Sequence, residues 1–508
     1  MLPLVFFFLT VLSRLPFTSK LLYHMDSVHF ALALDRYDVT VHQPHPPGYF
    51  LYVMLGRLLH LFIQDVNAVF VAISILSSSL TVVMIYYLGE ELFGRRTGVL
   101  AAALAITSPN LWFHGEVALS YPVEAFFSVL VAFLCWKIYS GKHEYIWFSA
   151  VVLALAGGVR QNTLFFLLPL WLFSVKKVQP GKIIASLLLL VTVCLSWFVP
   201  MVVMTGGWES YRLACKELWE FNTGHQTVFE RGHRAFAYNL SLLATYTIYN
   251  LGGGSIMFGF AAYHIIRSAR FRVFIKPEAI FIWFWCLPAV LFYLLIFIHT
   301  NPGYALVLMP QFVILAALSA DYVRPEFDRI FGSCSKVFVV IALFVNVLFF
   351  LLSKCPVSYA EIKLHDKSLE MMISNLGSFD PSTTVILVGP YKYYGYRQIM
   401  YYLPQYSVYQ VDYRVSRDGE VRKTFWGKNR RTFLSDGIVL STGIRKFAAV
   451  FYSDEKVRLS GINETRIQDL PPDLMVLSGP VEIITRVYPE TATLVKLASI
   501  ANKHRYGI

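Results

Sequence analysis

The sequence predicts a polytopic α-helical membrane protein followed by a soluble α/β domain, and three observations lead there. Of its 508 residues 56% are hydrophobic and only 15% charged, more apolar than a soluble core of this length requires. Apolar runs such as 68–88, 183–204, 279–298 and 337–352 recur near the roughly 20 residues that cross a bilayer's hydrocarbon. The basic residues between those runs gather in short loops that a single topology places on one side, as cytoplasmic loops demand.

Taken in order, the expected spans are 2–17, 67–87, 98–113, 121–139, 145–158, 163–175, 183–204, 239–266, 279–299, 304–321 and 337–352. Residues 48–64 decide the topology. They are apolar enough to be counted as a span, yet the stretch is short and Arg57, His60 and Gln64 fall on one helical face, which suits a helix lying in the interface. If that helix lies flat, the loops holding Arg95 and Arg96, Lys137 and Lys142, Lys176, Lys177 and Lys182, Arg267 to Lys276, and Arg324 to Lys336 share one side. If it spans, every cluster is exported, against the positive-inside rule. The N-terminus is therefore expected inside, and loops 18–66, 114–120 and 205–238 are expected together on the outer face.

The apolar runs stop near residue 353, which divides the chain into a membrane domain, 1–353, and an extracytoplasmic α/β domain, 354–508. Segments 383–388, 408–411, 448–451 and 482–487 read as strands, and 368–376 and 394–402 as helices. A domain of this size buries its own core.

The net charge of +12 is dispersed among loops and forms no basic face with interleaved aromatics, so nucleic acid is excluded as a partner and the lipid bilayer is the expected one. Six cysteines form no CxxC pair. Cys135, Cys194 and Cys286 read as small buried hydrophobes, and Cys215 with Cys355 is the one pair on the outer side where a disulfide is conceivable. The apolar start lacks a basic n-region and a cleavage site and reads as a retained helix.

Chemistry is expected where the outer loops meet. Asp26 opens an amphipathic run and has two compatible readings, the N-cap of a helix from Ser27 and a fixed carboxylate base. Glu116, in FHGEVALSYPVEAFF, is either a functional acid or a solvated loop carboxylate. Glu124 lies just inside a span, where an ionisable group is functional by default or else snorkels. Arg160, beside Gln161 at an outer turn, is either an anion grip or a helix-end arginine. Arg231 and Arg234 sit in a long loop with Trp208, Tyr211 and Trp219, suited to covering a lipid-linked ligand. The outer turn His299-Thr-Asn-Pro-Gly-Tyr304 offers His299 as its basic group. Gly252 to Gly254 mark helix packing or a hinge.

The first loop, YHMDSVHFALALDRYDVTVHQPHPPGYFLYVMLGRLLH, carries a resemblance. Asp26 followed by His45-Pro46-Pro47, with the order of segments after it, resembles GT-C glycosyltransferases of family 39, the protein O-mannosyltransferases and aminoarabinose transferases, over residues 1 to about 352. The resemblance implies a GT-C fold of about eleven transmembrane helices and transfer of one sugar from a polyprenyl-phosphate donor to an acceptor on the outer face, with inversion. It gives Asp26 the catalytic role, places His45 and Tyr49 by the active site and matches Glu116 to the second-loop acid. The family usually has aspartate there, sometimes paired, so a metal site is not carried over. A divalent metal stays an open alternative, and no other cofactor is implied. Arg160, Gln161, Arg231, Arg234, His299 and Tyr304 become donor-binding candidates.

Two rival readings remain open at this point. A transporter or lipid-sugar flippase would show paired halves and broken helices at matching positions; a non-catalytic scaffold would tolerate change at Asp26. Sequons at Asn239 and Asn463 do not settle the host. The lack of a eukaryotic targeting signal favours a bacterial plasma (inner) membrane.

Overall fold

The computed structural model describes residues 1–267, 275–331, 335–388, 392–393, 395–415, 421–426, 431–432, 438–440, 446–452, 463–465, 474–480 and 493–495. The chain divides into two compact units, one of Met1–Ser19 with Ala33–Ile362, the other of Lys20–Leu32 with Lys363–Ile508.

The first unit is helical, as its apolar runs demand. Helices occupy Leu2–Arg14, Val66–Phe93, Tyr121–Tyr139, Tyr145–Val159, Gln161–Ser174, Pro180–Met204, Pro277–Leu295 and Ser335–Leu352. Among the described residues, five elements are individually long and apolar enough to cross a membrane: Val66–Phe93, Tyr121–Tyr139, Pro180–Met204, Pro277–Leu295 and Pro302–Tyr322. The helix Phe50–His60, at 1.5 Å per residue, reaches about 16 Å and falls short of the hydrocarbon thickness. Leu55 and Leu58 on it are exposed, while Tyr52, Val53 and Gly56 are buried.

Three expected spans are interrupted. Segment 98–113 splits into Arg95–Thr107 and Pro109–His114, because Pro109 removes a backbone donor and Ser108 caps the new start through Leu111 N–H. Segment 239–266 splits into His233–Leu251 and Gly254–Arg267 at Gly252, whose φ is +52°. There Asn346 Oδ1 accepts the Gly253 N–H at 2.6 Å. A 3₁₀ segment, Pro302–Leu308, precedes the helix Met309–Phe331. The loop around Arg270 and Arg272 lies outside the described residues.

The second unit is α/β. Its strands are β1 (Thr384–Val388), β2 (Ser407–Val415), β3 (Val421–Trp426), β4 (Arg431–Thr432), β5 (Ile438–Leu440), β6 (Lys446–Tyr452), β7 (Asn463–Thr465), β8 (Leu474–Pro480) and β9 (Thr493–Val495). Seven form one sheet in the order β4-β3-β2-β1-β6-β8-β7, and β5 pairs with β9. Central β1 runs parallel to β2 and β6 and is buried along its length, as a continuous TVILV run should be. Leu369, Met372 and Leu376 pack on Ile386 and Val388, joined by Ile399 and Met400 of the Tyr396–Tyr402 helix. Leu21 and Leu32 join the same core. The expected strand at 482–487 lies outside the described residues.

Candidate active site

Within the first unit the structure gathers His45, Tyr49, Arg160, Gln161, His299 and Tyr304. Arg160 lies at the junction of Tyr145–Val159 and Gln161–Ser174 and is buried. Its Nη1 donates to Glu124 Oε2 at 2.8 Å, and Thr163 Oγ1 donates to Glu124 Oε1 at 3.0 Å. Tyr304, Tyr121 and Tyr49 surround the guanidinium at 4.4, 4.8 and 6.0 Å, distances at which ring faces attract a cation. Arg160 is thus no solvent-reaching helix-end arginine, and Glu124, only 1% exposed, does not snorkel.

The His-Pro-Pro-Gly-Tyr element enters this cage through two positive-φ residues, Gly48 at +122° and Tyr49 at +46°. A Cβ on Gly48 would meet Met201 Sδ at 2.6 Å and Tyr37 Oη at 2.8 Å, and Tyr37 Oη donates to the Gly48 carbonyl. Gln161 Nε2 and Tyr211 Oη each donate to the Pro47 carbonyl at 3.1 Å. The His45 ring packs on Tyr49 at 4.6 Å.

Tyr304 is held by the 3₁₀ segment, whose carbonyls take donors from four helices. Asn110 Nδ2 donates to Pro302 O, Asn250 Nδ2 to Ala305 O, Ser128 Oγ to Val307 O and Tyr293 Oη to Tyr304 O. Irregular backbone deep in a membrane protein persists only with such partners. His114 joins the same network, Nδ1 at 2.9 Å from Asn110 O and Nε2 at 3.1 Å from Asn301 Oδ1. His299 stacks on Tyr304 at 5.2 Å, and its carbonyl accepts from Tyr246 Oη.

Arg231 ends the short helix Val228–Arg231 and Arg234 lies in the first turn of His233–Leu251. Glu116 is fully buried, which corrects the reading of a solvated loop carboxylate. Ser19 N–H donates to its carbonyl and Ser74 Oγ to the carbonyls of Val117 and Leu119, folding the loop inward. Burial pushes its carboxyl well above the usual carboxylate range, with Arg14 pulling the other way. Arg231 and Arg234 are exposed. Cys215 and Cys355 are free thiols, so the conceivable disulfide is not formed. Asn239 is buried and its Nδ2 is committed to the carbonyls of Gln226 and Leu294.

Asp26 belongs to the second unit, in the first turn of Met25–Asp35. It is not the cap: the helix starts one residue earlier, and the Asp26 N–H donates to His24 Nδ1 at 3.1 Å. Its side chain, 16% exposed, has Oδ2 3.4 Å from His24 Nδ1 and Oδ1 3.7 Å from His29 Nδ1. Lys392 is close enough to feel its charge. Burial lowers the Lys392 ammonium below its ordinary value, and Asp26 works against that drop. His24, His29, Lys392, Tyr121 and His114 carried no motif signal, since their roles come from packing across the chain.

The fold matches solved structures. ArnT from Cupriavidus metallidurans bound to undecaprenyl phosphate superposes with a TM-score of 0.53 at 13% identity, covering 94% of this chain and 96% of that one. Its apo state gives 0.52 at 12% identity, covering 92% and 96%. The oligosaccharyltransferase AglB from Archaeoglobus fulgidus, in complex with an inhibitory peptide and a dolichol-phosphate, gives 0.48 at 12%, covering 88% and 68%. The ArnT likeness shows the fold: the chain is a multi-pass helical membrane protein with the GT-C fold. More particularly, residues 37–181 match the family model described as the protein O-mannosyl-transferase TMEM260 N-terminal domain. No protein of curated function matches the chain significantly in sequence. The matched stretch carries His45, Tyr49, Glu116, Arg160 and Gln161; Asp26 precedes it.

Proposed function

We propose that the protein is a membrane glycosyltransferase that moves one sugar from a polyprenyl-phosphate donor to an acceptor hydroxyl on the outer side of a plasma (inner) membrane, with the C-terminal domain on that side. The observation that carries the reading is Asp26: a part-exposed carboxylate fixed beside two imidazoles, in a chain with the fold of an enzyme solved with undecaprenyl phosphate. The Asp26 carboxylate takes the acceptor proton, the acceptor oxygen forms a bond to the sugar's anomeric carbon, and the bond to the phosphate oxygen breaks. The electron pair leaves on the lipid phosphate, and a single displacement inverts the anomeric centre. In the first unit, the cage of Arg160, His299 and the rings of Tyr49, Tyr121 and Tyr304 is a candidate for the donor headgroup, and the exposed Arg231 and Arg234 are further candidates.

The matched family's description makes mannose and a protein hydroxyl the first donor sugar and acceptor to try. The test is transfer of labelled sugar from a polyprenyl-phosphate donor by wild type and Asp26→Asn. Asparagine keeps the shape but cannot take the proton, so turnover should fall by about 10² to 10⁴ with the fold intact. Near-normal turnover by the variant would refute the base assignment.

A further inference from the structure

The segment that carries Asp26 is held by the C-terminal domain. Asp366, buried in the Tyr359–Leu376 helix, receives two successive backbone donors, the Lys20 N–H on Oδ2 at 2.8 Å and the Leu21 N–H on Oδ1 at 3.3 Å. Tyr402 Oη accepts the Leu22 N–H at 2.8 Å, and the Lys392 carbonyl accepts the Met25 N–H at 2.6 Å. The Lys392 carbonyl is itself fixed by Gln398 Nε2 at 2.8 Å. Tyr23 packs its ring on His365 at 4.6 Å and on Tyr393 at 5.3 Å, and His24 packs on Tyr393 at 5.2 Å. Leu21 and Leu32 complete the seat in the apolar core.

We propose that the C-terminal domain is a positioning domain for the candidate base, with Asp366 and Tyr402 as its positioning residues: they fix the backbone of Lys20–Leu22, the Lys392 carbonyl fixes Met25, and together they set where the Asp26 carboxylate stands. A carboxylate that accepts two consecutive amides fixes both the direction and the register of the strand it grips, which a packed apolar side chain does not. Met25 and His24 adjoin Asp26, so slack in this seat becomes displacement of the carboxylate, and misplacement by about 1 Å costs on the order of 10²-fold in rate. Asp366 touches no reacting atom in this scheme. The consequence for turnover rests on the glycosyltransferase reading; the grip itself does not.

The experiment combines hydrogen–deuterium exchange with kinetics on the full chain. Asp366→Leu removes both acceptors, Asp366→Asn keeps one, and Tyr402→Phe frees only the Leu22 amide. The amides of Lys20 and Leu21 should exchange at least about tenfold faster in the leucine variant, with an intermediate rise in the asparagine variant. Leu22 should respond alone in Tyr402→Phe, while exchange in Tyr121–Tyr139 stays as in wild type. Against a polyprenyl-phosphate mannose donor, kcat should fall about 10- to 100-fold with donor KM unchanged. If the leucine variant does not fold, the asparagine and phenylalanine variants still decide the matter. Unchanged exchange at residues 20–22 in those variants would overturn the grip. Faster exchange with unchanged kcat would leave the grip and overturn the positioning role. Absence of transfer by wild type would refute the proposed function and leave the exchange result standing.

Discussion

The Glu124–Arg160 pair should behave as an indivisible unit. Both side chains are almost wholly buried, at 1% and 4% exposure, and their charges meet at 2.8 Å. Arg160→Met leaves Glu124 with Thr163 Oγ1 alone, and Glu124→Gln leaves a guanidinium among tyrosines. Breaking a buried pair from either side costs about 3–5 kcal/mol, so the two single changes sum to roughly 6–10 kcal/mol. The double variant buries no charge, and its loss is chiefly the contacts to Tyr121 and Tyr304, about 0.5–2 kcal/mol each. It should therefore fall near 1–4 kcal/mol, well below the sum. Equilibrium unfolding of the four proteins in mixed micelles gives this double-mutant cycle directly. Additive losses, or single losses under about 1 kcal/mol, would refute the argument and return Arg160 to the role of a free anion grip.

Glu116→Gln should flatten the pH dependence of stability. The folded carboxyl is raised by burial, so its contribution is fully present below the unfolded value of about 4.3 and is lost as pH rises through the raised folded value. Unfolding curves from pH 4 to 8 check whether the wild type loses stability over that span while the glutamine variant does not. Gly303→Ala should disorder the Tyr304 turn, because its Cβ would meet Tyr121 Cδ2 at 2.2 Å and His114 Nε2 at 2.7 Å; exchange at residues 302–308 reads this. Cysteines at exposed Ser382 and Lys142 test the topology: an impermeant reagent on intact cells should label Ser382→Cys alone, and the reverse pattern would sink the flat-helix assignment. Mass spectrometry from a glycosylating host should find Asn239 unmodified, since its amide is committed in the folded core.

The helices were legible wherever composition alone forces them. Val66–Phe93 and Pro180–Met204 are apolar over more than a bilayer's width and have no other structure open to them in lipid. The breaks were harder to see because they depend on partners far along the chain. Nothing near Gly252 says that Asn346 takes the Gly253 amide, and nothing in Pro302–Leu308 says that Asn110, Asn250, Ser128 and Tyr293 meet its carbonyls. In the second unit, TVILV announced β1 by β-branched density, whereas β8, LMVLSGP, ends in residues that read as a turn and is defined by pairing to β6.

The site divides along the same line. Tyr49, Arg160 and Tyr304 were identifiable as members because an aromatic after Pro-Pro-Gly, a charge at a span junction and a tyrosine after Pro-Gly are each costly or unusual where they stand. What they do together was not, since Glu124 neutralises Arg160 and turns a free cation into the hub of three rings. Asp26 shows the limit most clearly. Its neighbourhood reads as a helix start, and aspartate is a favoured cap, so local logic assigns the carboxylate to the backbone. The helix instead begins at Met25 and the imidazole of His24 receives the Asp26 amide, while the Asp26 oxygens lie near the imidazoles of His24 and His29. A histidine, not the aspartate, stands in the cap position, so one of the two roles that looked compatible in sequence falls to a neighbour.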